Sequence, residues 1–497
     1  MKQSSSKKFR ILLVASSFED EWRSPTVNTN SHYPLGLAYI HAYLEKFHHT
    51  VKSLFLNDYS FEDCFSRVKT TIKRFKPDIV GFNMLTNNRV SSFRLIEYVH
   101  EKYPHIKILI GGIHSTLMYR QIIEKYPYLI AVLGEGEITI VKLLEKFSRH
   151  DSYQQVRGIA YRSKQKVITT KKRSLIKNLD VLPFPKHEAF FSIDRTIASM
   201  LTSRGCPFHC SFCVLESVSR RIYRKRSVKS VISEIKYLIK KFPQIETIWL
   251  HDDQFFIDNQ RVIDFCNEIV KQKIKIKFIC SGRFKPVSKE MVEALEKAGF
   301  IEIMFGLESG SPKVLELCHK MITQDDVVRT ITLFKNSKIF VVTFLIVGLY
   351  GETIDTIREG YQFVQKIQKI KYLYYGDISI LIIYPGTEIY DIAKAAGTID
   401  DSYWLTDKPT PLFTVEHSTK ELKQYKDIML NHISLSRYFT LQGFIRQVSM
   451  TPYIIKFLIS SMPRIPMVIL HVAQRFYPRI YTSLRRSPFI RSLSQVS

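Results

Sequence analysis

The sequence has 497 residues, of which 45% are apolar and 24% are charged. This balance is typical of a globular chain of two or three domains and excludes a disordered protein. Lysine and arginine outnumber aspartate and glutamate by 73 to 46, and the resulting net charge of +27 suits nucleic acid, anionic lipid or an anionic small molecule equally well.

The start of the chain does not resemble a signal peptide, because residues 1–10 are polar and basic and the apolar stretch after them is only as long as a strand. No run reaches the roughly 18 to 20 apolar residues of a membrane-spanning helix. The seven cysteines are scattered, and three of them fall within residues 206–213. This spacing argues against a secreted disulfide framework and, in a reducing compartment, predicts a metal site. We therefore expect a cytoplasmic protein.

Residues 1–150 alternate between strand-like and helix-like patterns. The predicted strands are short apolar runs, at Phe9–Ala15, Val51–Leu56, Asp78–Met84, Ile106–Gly112 and Leu129–Leu133. The predicted helices include Leu35–Phe47, Phe61–Phe75 and Val90–Tyr103. The alternation predicts a doubly wound, Rossmann-like parallel sheet with its ligand beyond the carboxyl ends of the strands. Two loops at that edge, Gly111–His114 and Gly134–Glu137, are rich in glycine, which lets backbone approach a bulky ligand.

Residues 151–195 are predicted to connect this domain to a second one, with one further strand at Val156–Tyr161. A second strand–helix series then occupies residues 196–400. Its predicted strands are Thr196–Thr202, Thr247–His251, Lys277–Ser281, Glu302–Gly306, Val341–Val347 and Asp377–Ile383. Its predicted helices include Val228–Lys241, Gln260–Gln272, Lys289–Ala298 and Thr353–Ile370. Six repeats predict a partial (β/α)6 barrel of the TIM type, with its chemistry at the carboxyl ends of the strands.

The conspicuous polar and glycine residues of this barrel do follow its predicted strands. In strand order they are the cysteines of 206–213, Asp252 with Asp253, Arg283, Glu308, Gly348–Glu352 and Pro385–Thr387. The carboxyl ends of parallel strands meet at one edge, so we expect these residues to form one site.

The cysteine loop reads Gly-Cys-Pro-Phe-His-Cys-Ser-Phe-Cys over residues 205–213. Three thiolates on one short loop can each bind one iron of a four-iron cluster and leave the fourth iron without a protein ligand. That open iron can chelate the amino and carboxylate groups of a methionine moiety. The alternative is a structural zinc site, which normally takes four ligands, and no fourth cysteine lies at short spacing. His209 adjoins Cys210 and is interpreted as loop surface.

The spacing Cys-x3-Cys-x2-Cys of Cys206, Cys210 and Cys213, with Phe212 before the last cysteine, resembles the radical S-adenosylmethionine (SAM) superfamily. Four later segments resemble the strand ends of that superfamily in the same order, at residues 251–255, 306–310, 347–353 and 384–387. The resemblance covers about residues 195–400. It implies a 4Fe-4S cluster held by the three cysteines and reductive cleavage of SAM to a 5′-deoxyadenosyl radical.

The same resemblance implies which other residues bind SAM. Phe212 would place backbone groups against the adenine, Glu308 would bind the ribose hydroxyls or orient the methionine end, and Arg283 would pair with the methionine carboxylate. The alternative for Glu308 is a structural ion pair at the mouth of the barrel. The full set expected to bind SAM is Phe212, Asp253, Arg283, Glu308, Gly348, Gly351 and Pro385.

Three N-terminal segments, Tyr33–Ile40, Gly111–His114 and Gly134–Glu137, resemble the cobalamin-binding domain that precedes the barrel in one large subgroup. That subgroup includes methyltransferases and the anaerobic magnesium-protoporphyrin ester cyclase. The resemblance implies cobalamin as a cofactor, with contacts from Tyr33, Gly36, Gly111, Gly112, His114, Gly134 and Glu135. No Asp-x-His-x-x-Gly motif follows the first strand, so no histidine is nominated as lower cobalt ligand. The alternative is a degenerate domain that only packs.

Three functions from different classes fit these patterns. The first is a cobalamin-dependent radical SAM enzyme that methylates, cyclises or otherwise rearranges an unactivated carbon centre. The second is a transfer-RNA methylthiotransferase, which the positive charge favours slightly. Such enzymes carry a second cluster on three N-terminal cysteines, whereas this N-terminal domain has only Cys64. The third is a non-catalytic binding protein, which the intact cysteine loop opposes. We expect the first function and no nucleic-acid partner.

Residues 401–497 are predicted as a basic, mainly helical C-terminal region. From residue 431 onward the sequence contains nine lysines and arginines and no acidic residue. Apolar stretches mixed with these charges suit a segment on an anionic membrane surface, and the alternative is packing against the barrel. We therefore expect a lipophilic small-molecule substrate, an electron donor such as flavodoxin or ferredoxin, and peripheral attachment to the inner membrane surface.

Overall fold

A computed structural model describes residues 7–18, 33–57, 59–191, 196–371 and 373–438. The chain divides into two units, one of residues 1–20 and 30–430 and one of residues 21–29 and 431–497. The first unit contains both predicted sheets. The segment from residue 439 onward, on which the prediction of a membrane-binding tail depends, lies outside the described residues.

The first sheet has seven strands in the order β2-β1-β3-β4-β5-β6-β7. These strands are β1 Arg10–Ala15, β2 Thr50–Phe55, β3 Ile79–Asn83, β4 Lys107–Gly111, β5 Ile130–Val132, β6 Ile159–Ser163 and β7 Lys166–Thr169. The first five are parallel, as the alternation of apolar runs and amphipathic helices predicts. Alternate residues of β1, such as Leu12 and Leu13, belong to separate cores on the two faces of the sheet. This confirms a doubly wound sheet buried on both sides.

The last two strands form an antiparallel hairpin that extends the first sheet beyond β5. The sequence predicts only one strand here, at 156–161. The second strand, Lys-Val-Ile-Thr at 166–169, is largely exposed, so it lacks the apolar run that marks the buried strands.

The second sheet has six parallel strands in the order β15-β14-β13-β12-β11-β8. They are β8 Ile197–Met200, β11 Thr247–Leu250, β12 Lys277–Gly282, β13 Phe300–Glu308, β14 Phe340–Val347 and β15 Tyr374–Ile380. The sheet ends at β8 and β15, which are not paired with each other, so it is an open half-barrel. A short antiparallel ribbon, β9 Ser203–Arg204 with β10 Arg224–Lys225, follows the first of these strands.

Helices alternate with the strands in both sheets. In the first they are α1 Leu35–Lys46, α2 Phe61–Phe75, α3 Arg89–Lys102, α4 Ile113–Lys125 and α5 Glu137–Ser148. The barrel helices are α6 Leu215–Ser219, α7 Val228–Lys241, α8 Asn259–Lys271, α9 Lys289–Lys297, α10 Pro312–Leu317, α11 Gln324–Leu333, α12 Ile354–Gln368 and α13 Glu388–Ala395. Side-chain caps start several of them, including Ser60, Ser227 and Thr353.

After the barrel, a short 3-10 segment at Asp401–Leu405 precedes helix α14, Thr419–Tyr438. Trp404 in the 3-10 segment is fully buried and belongs to the core on one face of the first sheet. None of the helices in the described part of the chain has the length and apolar character needed to cross a bilayer.

Candidate active site and cofactor cavity

The loop that carries the three cysteines is fixed at its start by two acidic residues that follow β11. Asp252 accepts hydrogen bonds from the Thr202 N–H and the Ser203 hydroxyl, both at 2.6 Å. Asp253 accepts one from the Gly205 N–H at 2.7 Å. Gly205 has a φ of 88°, and a Cβ atom there would lie 2.3 Å from a backbone oxygen. Glycine is therefore required directly before the first cysteine.

The three thiols of this loop are unpaired and partly exposed. The loop turns tightly, since the Cys213 N–H donates to the Cys210 carbonyl at 2.9 Å. The pKa of the Cys213 thiol is raised to about 11, mainly by burial, and the neighbouring Cys210 and Cys206 contribute to the increase. Thiols in this setting stay protonated until a metal displaces the proton, which suits metal ligands. Within the described ranges, no group of three or more His, Cys, Asp or Glu residues is arranged to hold a single metal ion.

Arg283, at the end of β12, is buried beside the cysteine loop. Its Nη1 atom lies 3.9 Å from the Cys210 sulfur, and its guanidinium lies 3.7 Å from the ring centre of Phe208. Its Nη2 atom donates to the Lys320 carbonyl. Its Nε atom is buried and has no hydrogen-bond partner among the described residues. A buried donor without a protein partner fits an anionic ligand group such as a carboxylate.

Glu308, at the end of β13, forms a buried ion pair with Lys320 at 2.7 Å. Its φ is 66°, and the ladder to β14 shifts register beside it. The Lys320 ammonium also lies 5.9 Å from the ring centre of Phe212 in the cysteine loop. The ion pair therefore links the loop to the fourth strand end. The sequence gives no signal for Lys320, because a single lysine after a short helix belongs to no motif considered above.

The turn after β14 is held by two glutamates. The Gly348 N–H donates to the Glu352 carboxyl at 2.5 Å, and the Gly351 N–H donates to Glu416 at 2.7 Å. Both glycines have positive φ angles, of 95° and 76°, which favour glycine. Burial raises the pKa of Glu352 to about 8. The two glycines therefore shape a tight turn at this strand end.

Pro385 is buried in the loop after the sixth strand, and two hydrogen bonds tie this region to the cysteine loop and the helix after it. The Ile389 N–H donates to the Ser211 carbonyl at 3.2 Å. The Ser217 hydroxyl donates to the Gly386 carbonyl at 2.6 Å. The structure thus brings the strand ends at Asp253, Arg283 and Gly386 into contact with the cysteine loop or the helix after it, and Glu308 reaches the loop through Lys320.

The half-barrel has two different faces. Residues such as Phe278, Cys280 and Phe305 point outward and are fully buried, with Phe278 packed on Phe265 of α8. The opposite, inner face is less covered, and Phe344 is 38% exposed. The strand register places mainly apolar side chains on this inner face, namely Trp249, Ile279, Ser281, Glu302, Met304, Val342 and Phe344. The inner face is therefore mainly apolar and also carries the carboxyl group of Glu302.

A small apolar cavity of about 60 Å³ lies against the first sheet, between the strands and helices α1 and α5. Most of its lining residues are aliphatic or glycine, together with one aromatic residue and one amide: Leu13, Leu37, Ile40, Gly81, Phe82, Asn83, Leu109, Ile110, Gly111, Gly112, Val132, Gly134, Gly136 and Ile140. A Cβ atom on Gly134 would meet no atom within 4 Å. Three of the residues expected to bind cobalamin, Gly111, Gly112 and Gly134, are among these lining residues.

The other four residues expected to bind cobalamin do not line this cavity. The Tyr33 hydroxyl contacts the His187 ring and donates to the Ser199 carbonyl at 3.0 Å. Glu135 forms ion pairs with two arginines of the ribbon. Gly36 is exposed on α1.

His114, the fourth of them, is buried at the start of α4. Its Nδ1 atom lies 3.2 Å from the Thr86 hydroxyl, and its ring meets Trp404 edge-on at 6.2 Å. Burial and, to a smaller extent, the charge of Arg89 lower the pKa of His114 to about 3, so the imidazole is neutral at physiological pH.

Two family models match the chain. The radical SAM superfamily model matches residues 200–364, and the B12-binding domain model matches residues 27–144. An uncharacterized methyltransferase of Pyrococcus horikoshii is 28% identical over 424 residues, which are 84% of this chain and 90% of the relative. The anaerobic magnesium-protoporphyrin IX monomethyl ester cyclase of Rubrivivax gelatinosus is 29% identical over 343 residues, which are 66% of this chain and 61% of the cyclase.

The fold is also that of a solved structure, the radical SAM methyltransferase TsrM of Kitasatospora setae. The TM-score is 0.65 at 18% identity, over 78% of this chain and 77% of that one. The two domain matches confirm the expected cofactors, namely a 4Fe-4S cluster, SAM and cobalamin. The chain therefore carries a B12-binding domain ahead of a radical SAM domain, and it is an enzyme of the radical SAM type.

Proposed function

We propose that Cys206, Cys210 and Cys213 each bind one iron of the 4Fe-4S cluster and leave the fourth iron open to SAM. The observation that carries this proposal is the position of the three free thiols at the carboxyl edge of the half-barrel, beside the unpartnered Nε atom of Arg283. The open iron then lies at the same edge as the inner face of the sheet.

In this proposal the chain's own residues orient SAM. Arg283 binds the methionine carboxylate through its free Nε donor, and Glu308 binds the ribose hydroxyls. Lys320 holds the Glu308 carboxylate in place. The backbone groups of Phe212 contact the adenine of SAM. The remaining residues, Asp253, Gly348, Gly351 and Pro385, act by shaping the loops around the ligand.

The cavity of the first sheet would take an uncharged part of cobalamin, because its lining is apolar and three of its glycines belong to loops at the carboxyl edge. Gly111, Gly112 and Gly134 are the residues we retain for this contact. Tyr33, Gly36, His114 and Glu135 lie outside the lining of this cavity, so any contact they make would be to another part of cobalamin.

With the cluster, SAM and cobalamin bound, this site would supply radical chemistry at an unactivated carbon atom and, through cobalamin, methyl transfer. The inner face of the half-barrel supports a lipophilic substrate, because Trp249, Met304, Val342 and Phe344 would surround it. Burial of these side chains against an apolar molecule is favourable by about 25 cal/mol per Å². We infer methylation or cyclisation of such a substrate, with electrons from a flavodoxin or ferredoxin.

The test is product analysis with the full chain, reconstituted anaerobically with iron, sulfide and cobalamin, and supplied with isoprenoid, fatty-chain and tetrapyrrole substrates. Val342→Asp places a charge on the inner face and should lower substrate turnover at least about 100-fold, since an unpaired buried charge is costly. Formation of 5′-deoxyadenosine without substrate should persist. Val270→Asp, at a position 48% exposed, is the matched control. Equal turnover by both variants would refute an apolar substrate on the inner face.

Attachment to an anionic membrane through residues 431–497 remains a prediction. Each basic residue near such a surface contributes about 1 kcal/mol, so nine would hold the enzyme reversibly. We expect the full chain to sediment with phosphatidylserine vesicles and to be released from them by high salt. It should not sediment with neutral vesicles. A chain with its tail arginines and lysines changed to glutamine should stay in the supernatant. Co-sedimentation of that variant would contradict the prediction.

A further inference from the structure

The glycine-rich loop Gly134–Glu137, here called the cavity loop, has two faces with different chemistry. Its glycines, Gly134 and Gly136, line the cavity of the first sheet. Its glutamates point to the ribbon of β9 and β10, which leads into the cysteine loop. Glu135 pairs with Arg204 at 3.2 Å, and Glu137 pairs with the same guanidinium at 2.7 Å.

Arg224, on the second strand of the ribbon, completes the contact. Its Nη1 atom lies 2.7 Å from Glu135 and donates to the Ile176 carbonyl at 2.9 Å. The Ile176 N–H in turn donates to Glu135 at 2.8 Å. Glu135 therefore receives donors from three segments of the chain, and its position is fixed.

These ion pairs are shielded from solvent. The exposed fractions of the side chains are 15% for Arg204, 8% for Arg224, 14% for Glu135 and 4% for Glu137. The Arg204 guanidinium also lies 4.7 Å from the ring centre of Tyr39 on α1. Removing one member of such a shielded pair is costly, because the other charge is then buried without compensation.

The backbone segment between Arg204 and Cys206 is short and conformationally restricted. Gly205 is the only residue between Arg204 and Cys206. Its N–H is bound by Asp253, and a Cβ atom at its position would collide with the Ile222 carbonyl. A displacement of the cavity loop must therefore move the start of the cysteine loop, because no flexible segment lies between them.

We propose that Arg204 is a positioning residue that couples the two cofactor sites. It fixes the cysteine loop to the cavity loop, so occupation of the cavity by cobalamin orders the loop that holds the cluster. By linkage, the cluster loop in its ordered form also favours cobalamin binding. The inference rests on the proposed function, since it takes the cavity as the cobalamin site and the cysteine loop as the cluster site.

Hydrogen–deuterium exchange of the full-length, cluster-reconstituted protein, with and without hydroxocobalamin, tests this coupling. In the unaltered protein, cobalamin should slow hydrogen–deuterium exchange in peptides from residues 132–140 and from residues 203–213. The exchange rate of the 203–213 peptides should fall about fivefold or more, since fivefold is the low end of measured coupling between two binding sites. In Arg204→Gln only the 132–140 peptides should respond. Arg221→Gln is the matched control, since Arg221 forms an exposed pair with Glu216 at 2.6 Å outside the cavity loop.

The outcomes separate the coupling from the proposed function. If cobalamin fails to protect 132–140 in the unaltered protein, the proposed cobalamin site is wrong. If it protects 132–140 but not 203–213, or if Arg204→Gln transmits protection in full, the coupling alone is wrong. Glu137→Gln removes the other member of the ion pair between Arg204 and Glu137. If Arg204→Gln does not fold, the exchange of the 203–213 peptides in Glu137→Gln tests the coupling instead. Arg204→Lys, which keeps the charge but not the two-pronged geometry, should transmit part of the protection.

Discussion

The triple variant Cys206→Ala, Cys210→Ala, Cys213→Ala is expected to bind no 4Fe-4S cluster and to form no 5′-deoxyadenosine under reducing conditions. Each single variant should lose at least about 1,000-fold in SAM cleavage, because an iron without its thiolate is released or exchanged. Iron and sulfide content, the visible absorption of the cluster and product analysis give the three readouts. All three should change together.

Cys64→Ala is the matched control for the cysteine variants. Cys64 is buried in the first domain, so its replacement removes a thiol without touching the half-barrel. Its cluster content and SAM cleavage should equal those of the unaltered protein. A triple variant that still held about four irons per chain would contradict the assignment of the cluster ligands.

The predicted sheets could be recognised because their strands are buried on both faces. The central strands, such as β1 and β3, consist mostly of consecutive buried apolar residues, and a helix follows each of them. The hairpin strand β7 and the two-residue strands of the ribbon could not be found in the same way. They are short and partly exposed, so pairing with a neighbour, rather than their own sequence pattern, makes them strands.

The sequence predicted residues of the candidate site only where they belong to a recognisable motif. The cysteine loop and the strand ends at Arg283 and Glu308 are visible in the sequence and lie together in the structure. Lys320 and Arg204 could not be found, because their roles depend on partners 12 residues and about 70 residues away in the chain. The buried hydrogen bonds of Tyr33 and His114 could not be predicted either, because no local pattern reveals their partners, and their expected contact with cobalamin stays a prediction.

Lys320→Met is expected to lower SAM cleavage about 100-fold while leaving the cluster in place. The lysine is the ion-pair partner of Glu308 at 2.7 Å, and both side chains are at most 10% exposed. Without the lysine, the carboxylate is left buried and uncompensated, at a cost of about 3 kcal/mol or more. Glu308 must then take up a proton or leave its place, and either change removes an acceptor for the ribose hydroxyls of SAM. A loss of about 2.7 kcal/mol corresponds to the expected 100-fold decrease.

Three measurements distinguish this role from a purely structural one. The KM for SAM should rise in Lys320→Met, since the proposed contact is to SAM itself, whereas iron content should stay normal. Lys320→Arg keeps the charge and should recover part of the activity, and Lys313→Met, an exposed lysine on α10, should behave as the unaltered protein. The double variant Lys320→Met, Glu308→Gln removes both charges, so its thermal stability should exceed that of Lys320→Met while SAM cleavage stays low. If Lys320→Met had the KM for SAM and the rate of SAM cleavage of the unaltered protein, the ion pair between Lys320 and Glu308 would have only a structural role.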